Sequence, residues 1–212
     1  MNTFYLKDLH GSWESFTGHH SALYPRANEN SEQKQLNDDF AVKYWMQLGA
    51  PSSKLHLGIP TYGRSFKIGA STALGASSSG PGLTGTVENF YFCLFVCFFC
   101  SCIFFCLFFK FTREGGFVSY YEVCQYLANG YTKVFDNEQQ IPYAYKSGDW
   151  VGYEDVQSAK IKVCIFFFHF ESSNNEFLFQ LFFKYRVNML LQTIWLVSCF
   201  GYELSLFFSS GT

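Results

Sequence analysis

The stretch KLHLGIPTYGRSF, from Lys54 to Phe66, constrains the fold more than any other in the chain. Leu55, Leu57 and Ile59 alternate with His56, Gly58 and Pro60, the period of two that marks a strand. Carried further, that period puts Tyr62 and Arg64 on the face of His56, Gly58 and Pro60. A phenol and a guanidinium then leave the strand end on one side, and Gly63 between them lets the backbone turn. Spacing alone leaves two readings open: a buried Tyr beside a solvated Arg, or a pair that contacts a ligand. A helix precedes this strand. Asn37 or Asp38 can cap it, because a short side-chain oxygen accepts the free amide hydrogens of the first turn. Phe40, Tyr44 and Leu48 make an apolar stripe, widened by Trp45, and Gly49 and Pro51 end the helix. A helix running into an alternating strand is the αβ half of a barrel unit. In such barrels the C-terminal strand ends carry the chemistry.

The same stretch contains IPTYGRSF, which resembles the seventh-strand motif of the glycoside hydrolase family 18 chitinases. DLHGSWE, Asp8 to Glu14, is similar to the segment after their sixth strand. TREGGFVSYYEVC (Thr112 to Cys124) and then IPYAY with WVGYEDVQS (Ile141 to Ser158) follow in the family's order. Four motifs in order are far more specific than one. The resemblance covers residues 7–86 and 111–162. It implies an α/β fold: a partial (β/α)8 TIM barrel, strands six and seven with their helices, plus a small α+β insertion domain. The division expected on this basis is a partial barrel over 7–66 and an insertion domain over 67–86 and 111–158. A hydrophobic insert over 87–110 and an aberrant tail over 163–212 remain.

The resemblance also implies substrate-binding residues. Tyr62 and Arg64 would hydrogen-bond or stack with N-acetylglucosamine units, and Asp8 would support the N-acetyl group. Glu114 would contact sugar from the insertion domain, with a solvated turn carboxylate as its alternative. Trp150 is a candidate sugar platform, with a packed core tryptophan as the commoner alternative. Lys7 stands where the family places a tyrosine before Asp8. Cys124 matches a family cysteine whose partner lies near the last strand, a region this chain does not match, so Cys124 is expected to remain a thiol.

Family 18 enzymes depart from two-carboxylate hydrolysis: the substrate's own N-acetyl oxygen attacks the anomeric carbon. One Glu, from Asp-x-x-Asp-x-Asp-x-Glu on strand four, protonates the leaving oxygen. No such pattern occurs in these 212 residues. No catalytic residue is therefore assigned beyond Asp8 as a supporting group. The remaining adjacent carboxylates, Glu154 with Asp155 and Asp38 with Asp39, diverge on a helix or strand and read as solvated surface charges. The expected function is that of part of a chitinase-type hydrolase, inactive on its own. The alternatives are a non-catalytic chitin-binding relative and a membrane-anchored interaction protein. The expected partner is chitin or N-acetylglucosamine oligosaccharides. No cofactor or metal is implied, and a net charge of −2 supplies no basic field for nucleic acid.

Phenylalanine is distributed unevenly. Of the 27 Phe, 21 fall in two blocks, Phe90 to Phe111 and Phe166 to Phe208. Phe90 to Phe109 is 20 residues without a charge, long enough to read as a transmembrane helix. The competing reading is a translated intron: Phe, Cys, Leu and Ser have pyrimidine-rich codons, and removing residues 87–110 rejoins Thr86 to Phe111 within the family motif. Five cysteines lie in this block at irregular spacing without a histidine, which argues against a zinc site. The tail opens with Val163 in the same manner. Residues 18–34 read as a polar surface loop, 70–85 as a mobile one, Tyr120 to Leu127 as a short helix and Trp150 to Tyr153 as a strand of the insertion domain. The N-terminus lacks the apolar core of a signal peptide, while the family resemblance implies an extracellular parent. A barrel piece with open sheet edges is expected to aggregate on its own.

Overall fold

The computed structural model describes residues 8–51, 55, 57–84, 90–98, 101–109, 114–170 and 206–208; over 90–98, 101–109, 166–170 and 206–208 the description is of the backbone. The elements run in the order α1 (Asp38–Gln47), β1 (Leu57–Ile59), β2 (Tyr62–Ile68), β3 (Ser78–Pro81), β4 (Phe90–Phe98), β5 (Ser101–Phe109), β6 (Phe117–Ser119), α2 (Tyr120–Ala128), β7 (Thr132–Asp136), β8 (Ile141–Lys146), β9 (Asp149–Tyr153), α3 (Val156–Phe170) and β10 (Leu206–Phe208).

A six-stranded antiparallel sheet organises the molecule, with the order β3-β2-β9-β8-β7 and β6 also on β2. β9 pairs along Gly63–Lys67, so β3 and β6 share the other edge of β2. Side chains alternate across the sheet. Val118, Ala144, Val151 and Tyr153 form one core with Val123 of α2. Phe66 and Trp150, directly paired across β2 and β9, form the other with Ile68. α2 is held at its start by Glu122, whose carboxylate accepts from the Ser119 amide at 2.7 Å. Trp150 to Tyr153 is a strand and Tyr120 to Leu127 a helix, as the sequence predicts.

Several expectations change. The stretch from Lys54 to Phe66 is not one strand. It breaks at Pro60, which has no amide hydrogen for a ladder. β1 pairs with β10, whereas β2 belongs to the six-stranded sheet. Lys54 and His56 lie outside the described residues, as does Lys7. Gly63 makes no turn. It sits inside β2, where a Cβ would meet the Gly152 carbonyl at 2.8 Å and Val151 Cγ2 at 2.9 Å. Asn37 does cap α1, accepting from the Phe40 amide at 2.8 Å. The stripe of Phe40, Tyr44 and Leu48 is exposed, however. The inward face carries Asp38, buried, with Ala41, Val42 and Trp45, half-buried at helical spacing.

Residues 18–23 are buried rather than a surface loop, because they lie over the Phe66–Trp150 face. The segment 70–85 contributes β3 to the sheet. In the candidate transmembrane helix, Phe90–Phe98 and Ser101–Phe109 are instead two antiparallel strands, with Phe90 opposite Phe109 and Phe98 opposite Ser101. Its aromatic and β-branched content suits a strand. No described helix is long and apolar enough to cross a membrane. α3 passes the expected boundary at Lys162, and Val163 is buried.

Candidate functional site

The site begins on β2. Tyr62 and Arg64 share the sheet face of Phe66, and β6 sets Ser119 and Phe117 opposite them. The Tyr62 ring stacks on Phe117 with centroids 4.6 Å apart, and the His20 ring centroid lies 5.2 Å from that of Tyr62. The Arg64 guanidinium lies 5.1 Å from the Phe117 ring, 5.4 Å from Trp13 and 5.7 Å from Tyr62. Cation–π attraction to three rings fixes its plane.

The opposing wall is the segment from Asp8 to Glu14. Arg64 Nε donates to Asp8 Oδ1 at 2.8 Å. Asp8 adopts φ 61°, in the left-handed region that Asp tolerates better than most residues. Burial works to raise its pKa, but the hydrogen bond and charge of Arg64, with smaller help from the Tyr62 hydroxyl, hold it below the ordinary carboxylate value. Asp8 is therefore ionised at neutral pH. His10 Nδ1 meets Glu14 Oε2 at 2.8 Å and ties the segment into a loop. The Trp13 ring folds over Gly11, where a Cβ would sit 2.1 Å from Cζ3. Trp13 is thereby held with 61% of its surface exposed.

Glu114 lies exposed on the turn entering β6, three residues before Phe117. Gly116 has φ 83°, and a Cβ there would come within 2.5 Å of Ser12 Oγ, so this turn abuts the Trp13 loop. Trp150 is elsewhere. It has no exposed surface and packs against Phe66, Tyr143 and His19. It takes the packed-core alternative and offers no platform to a sugar. Asp8, Tyr62 and Arg64 are brought together, Glu114 approaches from β6, and Trp13 and Phe117 complete the cluster. Periodicity could not place Trp13, which lies on an irregular loop; its motif neighbours Gly11 and Glu14 were the available signal.

Beneath the site, three of the four carboxylates expected on the surface, Asp38, Glu154 and Asp155, are buried, whereas Asp39 stays half-buried beside Lys43. Lys162 Nζ from α3 contacts Asp38 Oδ2 at 2.9 Å, Glu154 Oε1 and Ser21 Oγ, the last at 2.6 Å. Both carboxylates are pulled in by this ammonium. Burial pushes the Asp38 pKa up to about 6 against the opposing pull of Lys162. His19 and His20 are fully buried, and burial drives the pKa of His20 down to about 3 and that of His19 well below the ordinary value. Both imidazoles are neutral.

The profile of glycosyl hydrolases family 18 matches residues 4–169, and the chain belongs to that family. It is 39% identical over 160 residues to human chitinase-3-like protein 2, a match covering 74% of this chain and 34% of that protein. It is 37% identical over 153 residues to sheep oviduct-specific glycoprotein, covering 71% and 23%. Among solved structures it resembles human YKL-39, described as a pseudo-chitinase with retained chitooligosaccharide binding properties, with a TM-score of 0.64, 37% identity and 77% of this chain on 39% of that one. It also resembles the group IV chitinase of Ostrinia furnacalis solved with allosamidin, with a TM-score of 0.62, 31% identity and 77% on 39%. The chain thus spans about a third or less of the curated relatives it matches. Its fold is α/β, a partial barrel in the company of the antiparallel sheet.

Proposed function

We propose that this chain forms a chitooligosaccharide-contacting wall, and that it binds β-1,4-linked N-acetylglucosamine without cleaving it. The Arg64–Asp8 ion pair framed by Trp13, Tyr62 and Phe117 carries this reading. Such a wall offers what a sugar needs: the exposed Trp13 ring for ring C–H faces and a few fixed polar groups, with Tyr62, buried at 4% exposure, packed behind Arg64. Arg64 spends Nε on Asp8 and keeps its other donors for ligand oxygens. Asp8, ionised and partly exposed, accepts from an amide N–H such as that of an N-acetyl group. Glu114 adds an acceptor from the β6 side.

Substrate-assisted hydrolysis needs a neutral carboxylic acid at the leaving oxygen. Asp8 is held ionised by Arg64 and cannot supply that proton. Asp38, which would be partly protonated near neutrality, is buried under Lys162. A whole protein of this family bearing the strand-four Glu would hydrolyse chitin, with residues 7–66 as barrel and 67–86 with 111–158 as insertion domain. The similarity to a pseudo-chitinase that retains oligosaccharide binding supports the binding reading. An extracellular setting follows from the same reading and is supported by a glycoprotein among the relatives. The test is to titrate the chain with chitotetraose while recording Trp fluorescence and product formation. Saturable quenching without products is expected, and loss of the quenching in Arg64→Ala assigns it to this wall.

A further inference from the structure

Trp13, the exposed ring of the site, stands on a turn of four residues. The Glu14 amide donates to the Gly11 carbonyl at 3.0 Å, which closes Gly11-Ser12-Trp13-Glu14 as a β-turn with Trp13 at its second central position. Residues 8–14 form no helix or strand, so no ladder of backbone bonds holds this turn. An exposed ring there gains little from burial and would ordinarily sample several rotamers.

The Glu14 side chain supplies the restraint. Its Oε2 accepts from His10 Nδ1 at 2.8 Å and from the Gly11 amide at 3.4 Å. One carboxylate therefore ties the two residues ahead of Ser12 and Trp13 to the residue behind them. His10 is a firm anchor. It is 3% exposed, its ring meets that of Phe16 edge-on at 5.9 Å, and a Cβ on Gly18 would come within 2.6 Å of its Cγ. Ser12, the other central residue of the turn, is pressed against Gly116. The Trp13 ring is left one course, across Gly11 and up to the Arg64 guanidinium. His10 has almost no accessible surface, and the Glu14 oxygen that binds it is engaged by two donors within the loop. These groups act on a ligand through Trp13.

We infer that His10 and Glu14 are positioning residues: their clasp sets the plane of Trp13 before a sugar arrives, and with it the affinity of the wall. The inference rests on the proposed chitooligosaccharide binding for its ligand, not for the clasp itself. A ring already in place is spared the ordering that a free side chain undergoes on binding, which weakens association by about two- to tenfold.

The test uses the full chain labelled with fluorotryptophan, whose ¹⁹F spectrum separates the four tryptophans, with Trp13 assigned by Trp13→Phe. Chitotetraose affinity is read by calorimetry. In Glu14→Ala the unliganded Trp13 resonance should move toward that of free fluorotryptophan, and affinity should fall about three- to tenfold. Glu14→Gln keeps an acceptor for both donors and should restore most of each. In a Trp13→Ala background Glu14→Ala should cost nothing further, because a group acting through Trp13 has nothing left to act on. His10→Leu, of similar bulk and without the donor, should reproduce Glu14→Ala and serves where that variant does not fold. An unmoved Trp13 resonance in Glu14→Ala overturns the inference. So does parent-like affinity, or an equal loss with Trp13 already removed. A parent chain that does not bind chitotetraose sinks the wall reading instead, and the unliganded Trp13 resonance still decides the clasp.

Discussion

Arg64 reaches across 56 residues of sequence to donate its Nε–H to Asp8 Oδ1 at 2.8 Å, and the join fixes the loop between them against β2. One guanidinium thus orients the anion and is itself clamped by Trp13, Tyr62 and Phe117. Asp8→Asn removes the charge and keeps the shape. Chitotetraose affinity should fall about tenfold, or ~1.4 kcal/mol, as read by calorimetry. Arg64→Ala should cost more, since it frees three aromatic neighbours as well. An Asp8→Asn chain of unchanged affinity would remove Asp8 from the site.

Acid should destabilise the fold from about pH 6.5 downward. The folded pKa of His20 is about 3, below its unfolded value, and that of His19 is lowered too. Below about 6.5 the unfolded chain binds protons that the folded chain refuses, so stability falls as pH falls. Asp38 works the other way, because its raised pKa of about 6 favours the folded state as pH drops from 6 toward 4. Two lowered histidines outweigh one raised carboxylate. The urea midpoint should be lower at pH 5 than at pH 7, and His20→Gln should reduce the difference. A midpoint that rises on acidification would contradict the burial of these rings.

Lys162 should be the costliest single side chain to remove. Lys162→Met leaves Asp38 and Glu154 buried without their cation, at a cost of about 3–5 kcal/mol in urea unfolding. Replacing Asp38 by Asn in the same chain should recover part of that loss. A loss below about 1 kcal/mol would place the cluster in solvent.

The hairpin β4–β5 pairs with itself and with no other described strand. Deleting residues 87–110 should leave the near-ultraviolet circular dichroism of Trp150 and its neighbours unchanged and raise solubility. The deletion also mimics the spliced product that the codon argument anticipates. Sequencing mature transcripts across codons 80 to 212 checks that part, and abundant transcripts retaining codons 87–110 would contradict it.

What could be read from the sequence follows from how local each signal is. Asn37 as a cap, α2, and β9 are short-range features, and all appear where the sequence puts them. Tyr62 and Arg64 do share a face, because alternation survives on either side of Pro60. The misplaced features depend on partners distant in sequence. Which helical stripe of α1 turns inward was settled by Lys162 drawing Asp38 down, not by hydropathy. Residues 18–23 read as surface because they are polar, yet they cover Trp150. Trp150 itself, apolar with one N–H, fits a sugar platform or a core equally well until its strand neighbours are known. The run from Phe90 to Phe109 has the length of a membrane helix and the residue types of a strand, and length alone could not decide.

The most direct test of the central claim is chitotetraose binding by the purified, tagged, monomeric chain 1–212, followed by Trp fluorescence with chromatography of the sugar afterwards. Saturable quenching is expected, with its loss in Arg64→Ala and chitotetraose recovered intact. Cleavage products from this chain, or quenching that survives Arg64→Ala unchanged, would contradict it.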